Sequence, residues 1–223
     1  MPQKHVSGSA EWLGGQFILE AEHLKETDER AYRHEYLGIP VGTSGNVFDN
    51  LELREITDEE VGRFDRIYQG VDWGYMPDPF AFIRAHYDKA RETIYLIDEI
   101  YQNKLSNEQS AGIIRERGYL DAYIICDSAE PKSIADFRAM GLPAKAAAKG
   151  PGSVEYGMKW LQRRKIVIDR RRTPHAYDEF VNYEYARSKD GEIISGYPDE
   201  KNHLIDSLRY GLEPISRRMG VMA

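Results

Sequence analysis

The sequence predicts an α/β fold in which a mixed β-sheet is flanked by helices. Three apolar segments rich in β-branched and aromatic residues follow one another early in the chain, at 67–73, 80–87 and 93–101. After them, segments of helical and of strand character alternate as far as residue 168. Consecutive strands followed by helix–strand alternation indicate a mixed sheet with helices packed against it.

The N-terminal part differs in style from the rest of the chain. We expect an appendage or linker at residues 1–60 and the main folded domain at 61–220. Within the appendage, residues 17–37 have a helical pattern of apolar and charged side chains. A short strand is predicted within 47–56, and Thr57-Asp58-Glu59-Glu60 has the pattern of a helix-capping box.

The first three strands are predicted to form a meander. Only residues 88–92 separate the second strand from the third, and so short a link favours an antiparallel hairpin. The alternating part then adds three helices and three strands. The helices are predicted at 106–117, 131–140 and 153–162, and the strands at 122–126, 143–147 and 166–168.

The C-terminal part is predicted to be a helix, a hairpin and a helix. Thr173-Pro174 places proline at the first position of a helix, where its missing amide hydrogen is not needed. Asp190-Gly191 lies between two apolar segments, which is a strong hairpin signal. The last helix is expected at about 201–217, with Leu204 and Leu208 on its buried side.

The order of these elements matches the ribonuclease H-like architecture, with an extra β-hairpin before the last helix. In that architecture the first and fourth strands lie side by side. Asp72 follows the apolar part of the first strand and Asp127 follows the fourth. The two carboxylates are therefore expected to meet at one edge of the sheet.

Composition excludes several classes of protein. The 223 residues contain one cysteine, so an internal disulfide is impossible, and Cys126 is interpreted as a small buried core residue. No apolar run approaches the length of a membrane span, and no signal peptide is apparent. The net charge of −7 argues against a surface covered with phosphate-binding residues but leaves room for a local nucleic-acid site.

Four side chains form a candidate site for two divalent metal ions, Mg²⁺ or Mn²⁺. Asp72 and Asp127 would lie together at the sheet edge, and His203 and Asp206 are three residues apart on one face of the last helix. Carboxylate oxygens are the ligands that Mg²⁺ prefers, and two such ions catalyse phosphodiester hydrolysis. Asp78 is a further acid nearby.

Each of these residues also has an ordinary structural explanation. Asp72 and Asp78 could be turn residues, and Asp127 could cap the following helix. His203 and Asp206 could be exposed polar residues of a surface helix. It is the expected convergence of the four on one edge that favours the metal site.

Two basic clusters are candidate phosphate contacts. Arg163, Arg164 and Lys165 precede the short strand 166–168, and Arg170, Arg171 and Arg172 follow it. Either cluster could bind DNA backbone or could be a solvated group of charges at a strand end.

Three blocks of the sequence resemble the C-terminal nuclease domain of tailed-bacteriophage terminase large subunits. They are Gly70-Val71-Asp72-Trp73-Gly74 with Asp78-Pro79, then Cys126-Asp127-Ser128-Ala129-Glu130-Pro131-Lys132-Ser133, and finally Asn202-His203-Leu204-Ile205-Asp206-Ser207-Leu208-Arg209-Tyr210. The segment from Tyr32 to Phe48 is similar to the connection between the ATPase and nuclease domains of that family. The resemblance covers roughly residues 25–215.

The resemblance implies a ribonuclease H-like nuclease that cuts concatemeric viral DNA when packaging starts and ends. It implies a metal-binding core of Asp72, Asp127 and either His203 or Asp206, with Asp78 as an accessory acid. The implied partners are double-stranded DNA, the terminase small subunit, the portal protein and the ATPase domain, in the host-cell cytoplasm. No Gly-x-x-x-x-Gly-Lys-Ser/Thr phosphate loop occurs in the sequence, so we expect the nuclease half alone.

Two other functions stay open at this point. One is a ribonuclease H-like junction resolvase or hybrid nuclease, which would use the same fold on a different substrate. The other is a module that docks on the portal protein without catalysis. A further hypothesis concerns the hairpin, which would limit the access of duplex DNA to the metals, with Lys189 near its tip supplying a phosphate contact.

Overall fold

The computed structural model describes residues 15–27, 32, 36, 45–188, 193, 194 and 196–220. Within these residues seven strands form one sheet. They are β1 (Leu51–Leu53), β2 (Ile67–Asp72), β3 (Phe80–Asp88), β4 (Thr93–Gln102), β5 (Ile124–Cys126), β6 (Ala144–Ala146) and β7 (Lys165–Ile168).

The same part of the chain contains seven helices. They are α1 (Gly15–Thr27), α2 (Asp58–Val61), α3 (Asn107–Glu116), α4 (Pro131–Ala139), α5 (Ser153–Gln162), α6 (Pro174–Asn182) and α7 (His203–Gly220). The start of α3 follows from its sequence, because Ser106 and Gln109 form a reciprocal capping box. No described helix is both long enough and apolar enough to cross a membrane.

The sheet is mixed, with the strand order β1-β7-β4-β3-β2-β5-β6. β3 runs antiparallel to its two neighbours β2 and β4, and the other neighbouring pairs are parallel. The carboxyl ends of all strands except β3 therefore lie at one edge. The predicted ribonuclease H-like class is confirmed, and so is the adjacency of the first and fourth predicted strands, which are β2 and β5.

The core lies on both faces of the sheet. Alternation along β3 shows this, since Phe80 and Phe82 belong to one buried cluster while Ala81 and Ile83 belong to the other. The first cluster includes side chains of α3 and α4, and the second includes side chains of α5, α6 and α7. Burial on both faces gives the sheet its three-layer arrangement.

Helix α7 lies unusually close to the sheet because two glycines face each other there. A Cβ built on Gly70 of β2 would come within 1.7 Å of the Ser207 carbonyl oxygen, and one on Gly211 would come within 2.9 Å of the Gln69 backbone. Only glycine permits such an approach of backbone to backbone. This contact sets the position of the residues that begin α7.

The predicted boundary at residue 60 falls inside a region that packs with the sheet. β1 pairs in parallel with β7, and Val47, Phe48 and Ile56 are buried. The segment from residue 45 onward is therefore built into the main domain. The helix predicted at 17–37 is described as α1 at Gly15–Thr27.

The predicted hairpin before the last helix is described at its base. Arg187 and Ile193 form an antiparallel bridge, and the amide of Ile194 donates to the carbonyl of Ala186 at 2.7 Å. The predicted tip, including Lys189, lies outside the described residues.

Candidate metal centre

Asp72 and Asp127 lie side by side at the carboxyl edge of the sheet. Asp72 is the last residue of β2, and Asp127 directly follows β5. The amide of Asp127 donates to the carbonyl of Val71 at 3.1 Å, which continues the parallel pairing one residue beyond β5. The strand register thus brings two carboxylates from distant parts of the sequence together.

The first two turns of α7 face these carboxylates. His203, Asp206 and Tyr210 are spaced three and four residues apart, so they lie on one side of the helix. Ser207, one turn after His203, attaches this end of the helix to the strand end. Its hydroxyl oxygen accepts from the Asp72 amide at 3.1 Å, and its hydroxyl donates to the His203 carbonyl at 2.7 Å.

His203 lies between two acids. Its Nδ1 is 3.1 Å from Asp72 Oδ2, and its Nε2 is 3.6 Å from Asp78 Oδ1. The hydrogen bond to Asp72 raises the pKa of His203 above its ordinary value, against the opposing effect of burial. Asp78 is much more exposed than Asp72 and lies at the rim of the site.

Asp127 is held by three partners. Its Oδ1 accepts from the Ala129 amide at 2.8 Å and forms an ion pair with Lys149, while Tyr210 donates its hydroxyl to Oδ2 at 3.3 Å. Burial raises the pKa of Asp127, but the bonds from Ala129 and Lys149 outweigh it and lower the pKa overall. The carboxylate does form a local turn, yet α4 begins after Glu130 without a side-chain cap.

Asp206 is paired with Arg209 one turn later, with Nε 3.1 Å from Oδ1. The arginine is 7% exposed in its side chain, and its stem packs against α5, where a Cβ on Gly157 would lie 2.6 Å from Arg209 Cγ. Burial raises the pKa of Asp206, with a further contribution from the charge of Asp72, and Arg209 opposes this rise.

These groups line a single open cavity of about 700 Å³. The part of the chain that is described holds no three His, Cys, Asp or Glu side chains gathered tightly enough to enclose a cation. Each carboxylate is instead held by its own protein partner. A donor set of carboxylates and an imidazole around an open cavity still fits Mg²⁺ or Mn²⁺, because Mg²⁺ keeps several waters and takes one or two carboxylates directly.

Glu179 of α6 positions the start of α7. Its Oε2 accepts from the amides of Leu204 and Ile205 at 2.8 Å and 3.2 Å. A carboxylate at a helix N-terminus satisfies amides that have no partner within the helix. Burial nevertheless raises the pKa of Glu179 to about 7, because desolvation exceeds the effect of the two amides.

This raised pKa predicts a pH-dependent stability. A carboxyl group that titrates near 7 when folded and near 4.5 when unfolded binds a proton more tightly in the folded state. The free energy of unfolding therefore falls as the pH rises through that window. Glu179→Gln should remove this fall, so the melting temperature of the variant minus that of wild type should increase from about pH 5 to about pH 8. Thermal unfolding across this range checks it, and a constant difference would contradict it.

The first basic cluster lies at the opposite edge of the sheet from Asp72. Arg163 and Arg164 precede β7, and Lys165 begins it, opposite Thr93 at the start of β4. Arg164 is 7% exposed, donates to the Trp160 carbonyl at 2.7 Å and covers the Trp160 ring. We therefore assign Arg164 to the core, which corrects its prediction as a phosphate contact. Lys165 is exposed and pairs with Glu52 at 2.7 Å.

The second basic cluster lies at the same edge as Asp72 but away from it. β7 is three positions from β2 in the sheet, which corresponds to roughly 14 Å at the usual strand spacing. The guanidinium of Arg172 donates to the Asp58 carboxylate and to the Ile56 carbonyl. The guanidinium carbon of Arg170 lies 5.0 Å from the centre of the Tyr177 ring. Arg171 is exposed. Neither cluster lines the carboxylate cavity.

The basic and aromatic residues that do line the cavity were not singled out from the sequence. They are Trp73, Tyr101, Lys149, Lys201, Arg209 and Tyr210. Tyr210 lies four residues after Asp206, so helical spacing could have revealed it. Lys149 follows β6, which runs parallel beside β5, so its place at the carboxyl edge follows from the sheet order.

The chain is similar in sequence to two curated large terminases. It is 46% identical over 215 residues to the terminase large subunit of Bacillus phage SPP1, which covers 94% of this chain and 51% of that protein. It is 28% identical over 214 residues to the PBSX phage terminase large subunit of Bacillus subtilis strain 168, covering 91% and 48%. The chain thus spans about half the length of these curated relatives.

The structure is similar to a solved nuclease domain. The crystal structure of the large terminase nuclease domain of bacteriophage SPP1, with bound Mn, matches with a TM-score of 0.71 and 46% identity over 75% of this chain and 97% of that one. The family described as the terminase RNase H-like domain matches residues 72–214, a segment that begins at Asp72 and includes Asp127, His203 and Asp206. This chain therefore belongs to the family of terminase ribonuclease H-like domains.

Proposed function

We propose that this domain is a divalent-metal-dependent endonuclease that cuts double-stranded viral DNA. The observation that carries the proposal is the convergence of Asp72, Asp127, His203 and Asp206 on one open cavity. The relative that is 46% identical supports it, because its nuclease domain was solved with bound Mn.

Asp72, Asp127 and either His203 or Asp206 would hold two Mg²⁺ or Mn²⁺ ions, with Asp78 as an accessory acid at the rim. Such ions, when bound, activate water and stabilise the leaving oxygen of a phosphodiester. We propose that Asp72 would contact both ions, because it ends β2 beside Asp127 and its Oδ2 lies 3.1 Å from Nδ1 of His203 on α7.

The surrounding residues orient the donors. Ser207 fixes the backbone of Asp72, Tyr210 directs one oxygen of Asp127, and Arg209 directs one oxygen of Asp206. Donors that are held by neighbouring hydrogen bonds bind a metal with less loss of side-chain entropy. The raised pKa values of His203 and Asp206 mean that protons compete for these two donors as the pH falls.

In its biological setting we propose that the domain cuts concatemeric DNA at the start and end of genome packaging. It would act with the ATPase domain of a full-length large subunit, the small subunit and the portal protein, in the host-cell cytoplasm. The support for this setting is the family membership and the half-length coverage of the curated relatives.

Plasmid nicking tests the proposal. We expect supercoiled plasmid to be converted to nicked and linear forms with Mg²⁺ or Mn²⁺ and to remain intact with chelator. Four-way junctions and RNA–DNA hybrids serve as comparison substrates, and a strong preference for either would replace duplex cleavage with junction or hybrid cleavage. Intact plasmid in both metals would indicate a docking module.

Variants of His203 and Asp206 test which of the two binds metal. Imidazole suits Mn²⁺ better than Mg²⁺, whereas a carboxylate serves both ions. If His203 is the ligand, His203→Ala should lose more activity in Mn²⁺ than in Mg²⁺; if Asp206 is the ligand, Asp206→Ala should lose activity about equally in both. Nicking rates of the two variants in each metal decide between them. Near-wild-type rates for both variants would remove α7 from the site.

A further inference from the structure

Two of the three lysine and arginine side chains that line the cavity are held very differently. Lys149 is 39% exposed in its side chain and pairs with Asp127, while Arg209 is 7% exposed and pairs with Asp206. Both cations lie against the ring of Tyr210, at 5.2 Å and 4.5 Å from its centre. One of the two is therefore free to leave its partner and the other is not.

Arg209 is locked in place by its surroundings. Its stem fills the space left by the missing side chain of Gly157, which joins α5 to α7 at this point. A guanidinium buried in this way is a permanent countercharge for Asp206. Moving it would leave a buried charge without a partner, which is strongly unfavourable.

Lys149 has both the freedom and the room to move. An exposed lysine is a mobile point charge on a flexible stem. A second cavity of about 330 Å³ adjoins the carboxylate cavity, and Lys149, Ser153, Arg209 and Tyr210 line both. The backbone before Lys149 is anchored, since the amide of Ala147 donates to the carbonyl of Cys126 at 2.7 Å. A displaced ammonium group would thus stay beside the site.

We propose that Lys149 is a releasable counter-ion that couples metal binding to DNA binding. Without a divalent cation it neutralises Asp127; when the cation takes that carboxylate, the ammonium group is freed and contacts a phosphate of the DNA. This inference rests on the proposed nuclease function, because the carboxylate it vacates is a proposed metal ligand.

Charge explains why the exchange would occur. A divalent cation at Asp127 would repel an ammonium group at contact distance, and Lys149 pairs with that same carboxylate. Once released, Lys149 lies in a cavity whose lining includes the carboxylates of Asp72, Asp127 and Asp206. A phosphate positioned there by the metal would supply the negative charge that the carboxylate no longer offers.

Metal titration without DNA gives the first readout. Lys149→Met removes the competing cation and keeps the apolar stem, so Mn²⁺ and Ca²⁺ should bind more tightly by up to about fivefold in calorimetry, the worth of a half-exposed ion pair. Lys145→Met is the matched control: Lys145 lies on β6 four residues earlier and covers the Tyr123 ring, outside the cavity. It should leave metal affinity unchanged.

Salt dependence of DNA binding gives the second readout. We would measure the binding of a short duplex by fluorescence anisotropy, with Ca²⁺ under conditions without nicking and with chelator. The logarithm of the binding constant falls as the logarithm of the salt concentration rises, and loss of one phosphate contact makes this slope less steep by about 0.9. Lys149→Met should show this loss with Ca²⁺ and not with chelator, and Lys149→Arg, which keeps the charge, should retain the wild-type slope.

The inference is overturned by several results. Unchanged or weaker metal binding by Lys149→Met would show that Lys149 does not compete for Asp127. An unchanged slope with Ca²⁺, or an equal loss with chelator, would show that metal does not release it. Each of these results would leave the proposed nuclease function standing, provided that the wild-type protein nicks plasmid. Failure of wild-type nicking instead defeats the proposed function itself.

Discussion

Asp72→Asn is expected to reduce plasmid nicking to the level seen with chelator, by at least about a thousandfold. The proposed function gives this carboxylate contacts to both ions, and metal ions contribute several kcal/mol of transition-state stabilisation at such sites. The substitution keeps the size of the side chain, and the amide of Asp72 can still donate to Ser207. Nicking rates in Mg²⁺ and Mn²⁺ measure the effect.

The fold should tolerate Asp72→Asn. Its carboxylate lies among other acids and adds to the charge that raises the pKa of Asp206. Removing one negative charge from this group relieves repulsion, so the melting temperature should hold or rise. Asp65→Asn is the matched control, because Asp65 lies two residues before the first residue of the same strand and is exposed. Wild-type nicking by Asp72→Asn would defeat the assignment of the site.

Gly70→Ala is expected to lower the free energy of unfolding by roughly 3 kcal/mol, because a methyl group has no space there. The new Cβ would meet the Ser207 carbonyl at 1.7 Å and the Gly211 amide at 2.7 Å, and both are backbone atoms that no rotamer change can move. Helix α7 would have to shift away from β2 and carry His203 and Asp206 with it. Denaturant unfolding should show the lost stability, and plasmid assays should show lost nicking.

Gly112→Ala provides a control of opposite sign. Gly112 lies in the middle of α3, and a Cβ there would meet nothing within 4 Å. Alanine in a helix interior is about 0.5–1 kcal/mol more favourable than glycine, so this variant should be slightly more stable than wild type and nick normally. A Gly70→Ala protein as stable as wild type would mean that α7 does not depend on this contact.

Local patterns in the sequence predicted most of the elements. Ser106 with Gln109 predicted the start of α3, and the structure contains both hydrogen bonds of the capping box. The apolar run ending at Cys126 predicted a strand, and all three residues of β5 are buried. These signals are local, because capping and alternation depend on residues only a few positions apart.

The part played by residues 45–60 depended on distant pairing. Val47 and Phe48 alone could belong to a linker or to a core. Phe48 packs against Phe180 of α6 and against Tyr183, and the amide of Val47 donates to the Tyr183 carbonyl. Strand β1 exists because β7 offers it a parallel partner. Pairing between strands more than a hundred residues apart is set by the whole sheet and has no local signature.

The basic residues show most clearly that the sequence does not reveal contacts between distant parts of the chain. From the sequence, Arg164 and Lys149 are both cations next to a strand. In the structure, the end of α5 buries Arg164 against Trp160, while the sheet order places Lys149 beside Asp127. The number of charged residues can be read from the sequence, but the group with which each of them pairs depends on tertiary packing.

The sequence alone predicted the fold class, the order of elements and the four candidate ligands. Strand ends, helix caps and helical spacing depend on residues that are close together in the sequence. It also carried the resemblance that family membership confirms. Only the tertiary structure decided which countercharge serves each carboxylate and how closely α7 approaches the sheet. Both depend on backbone distances across the fold, which two glycines from separate elements set together.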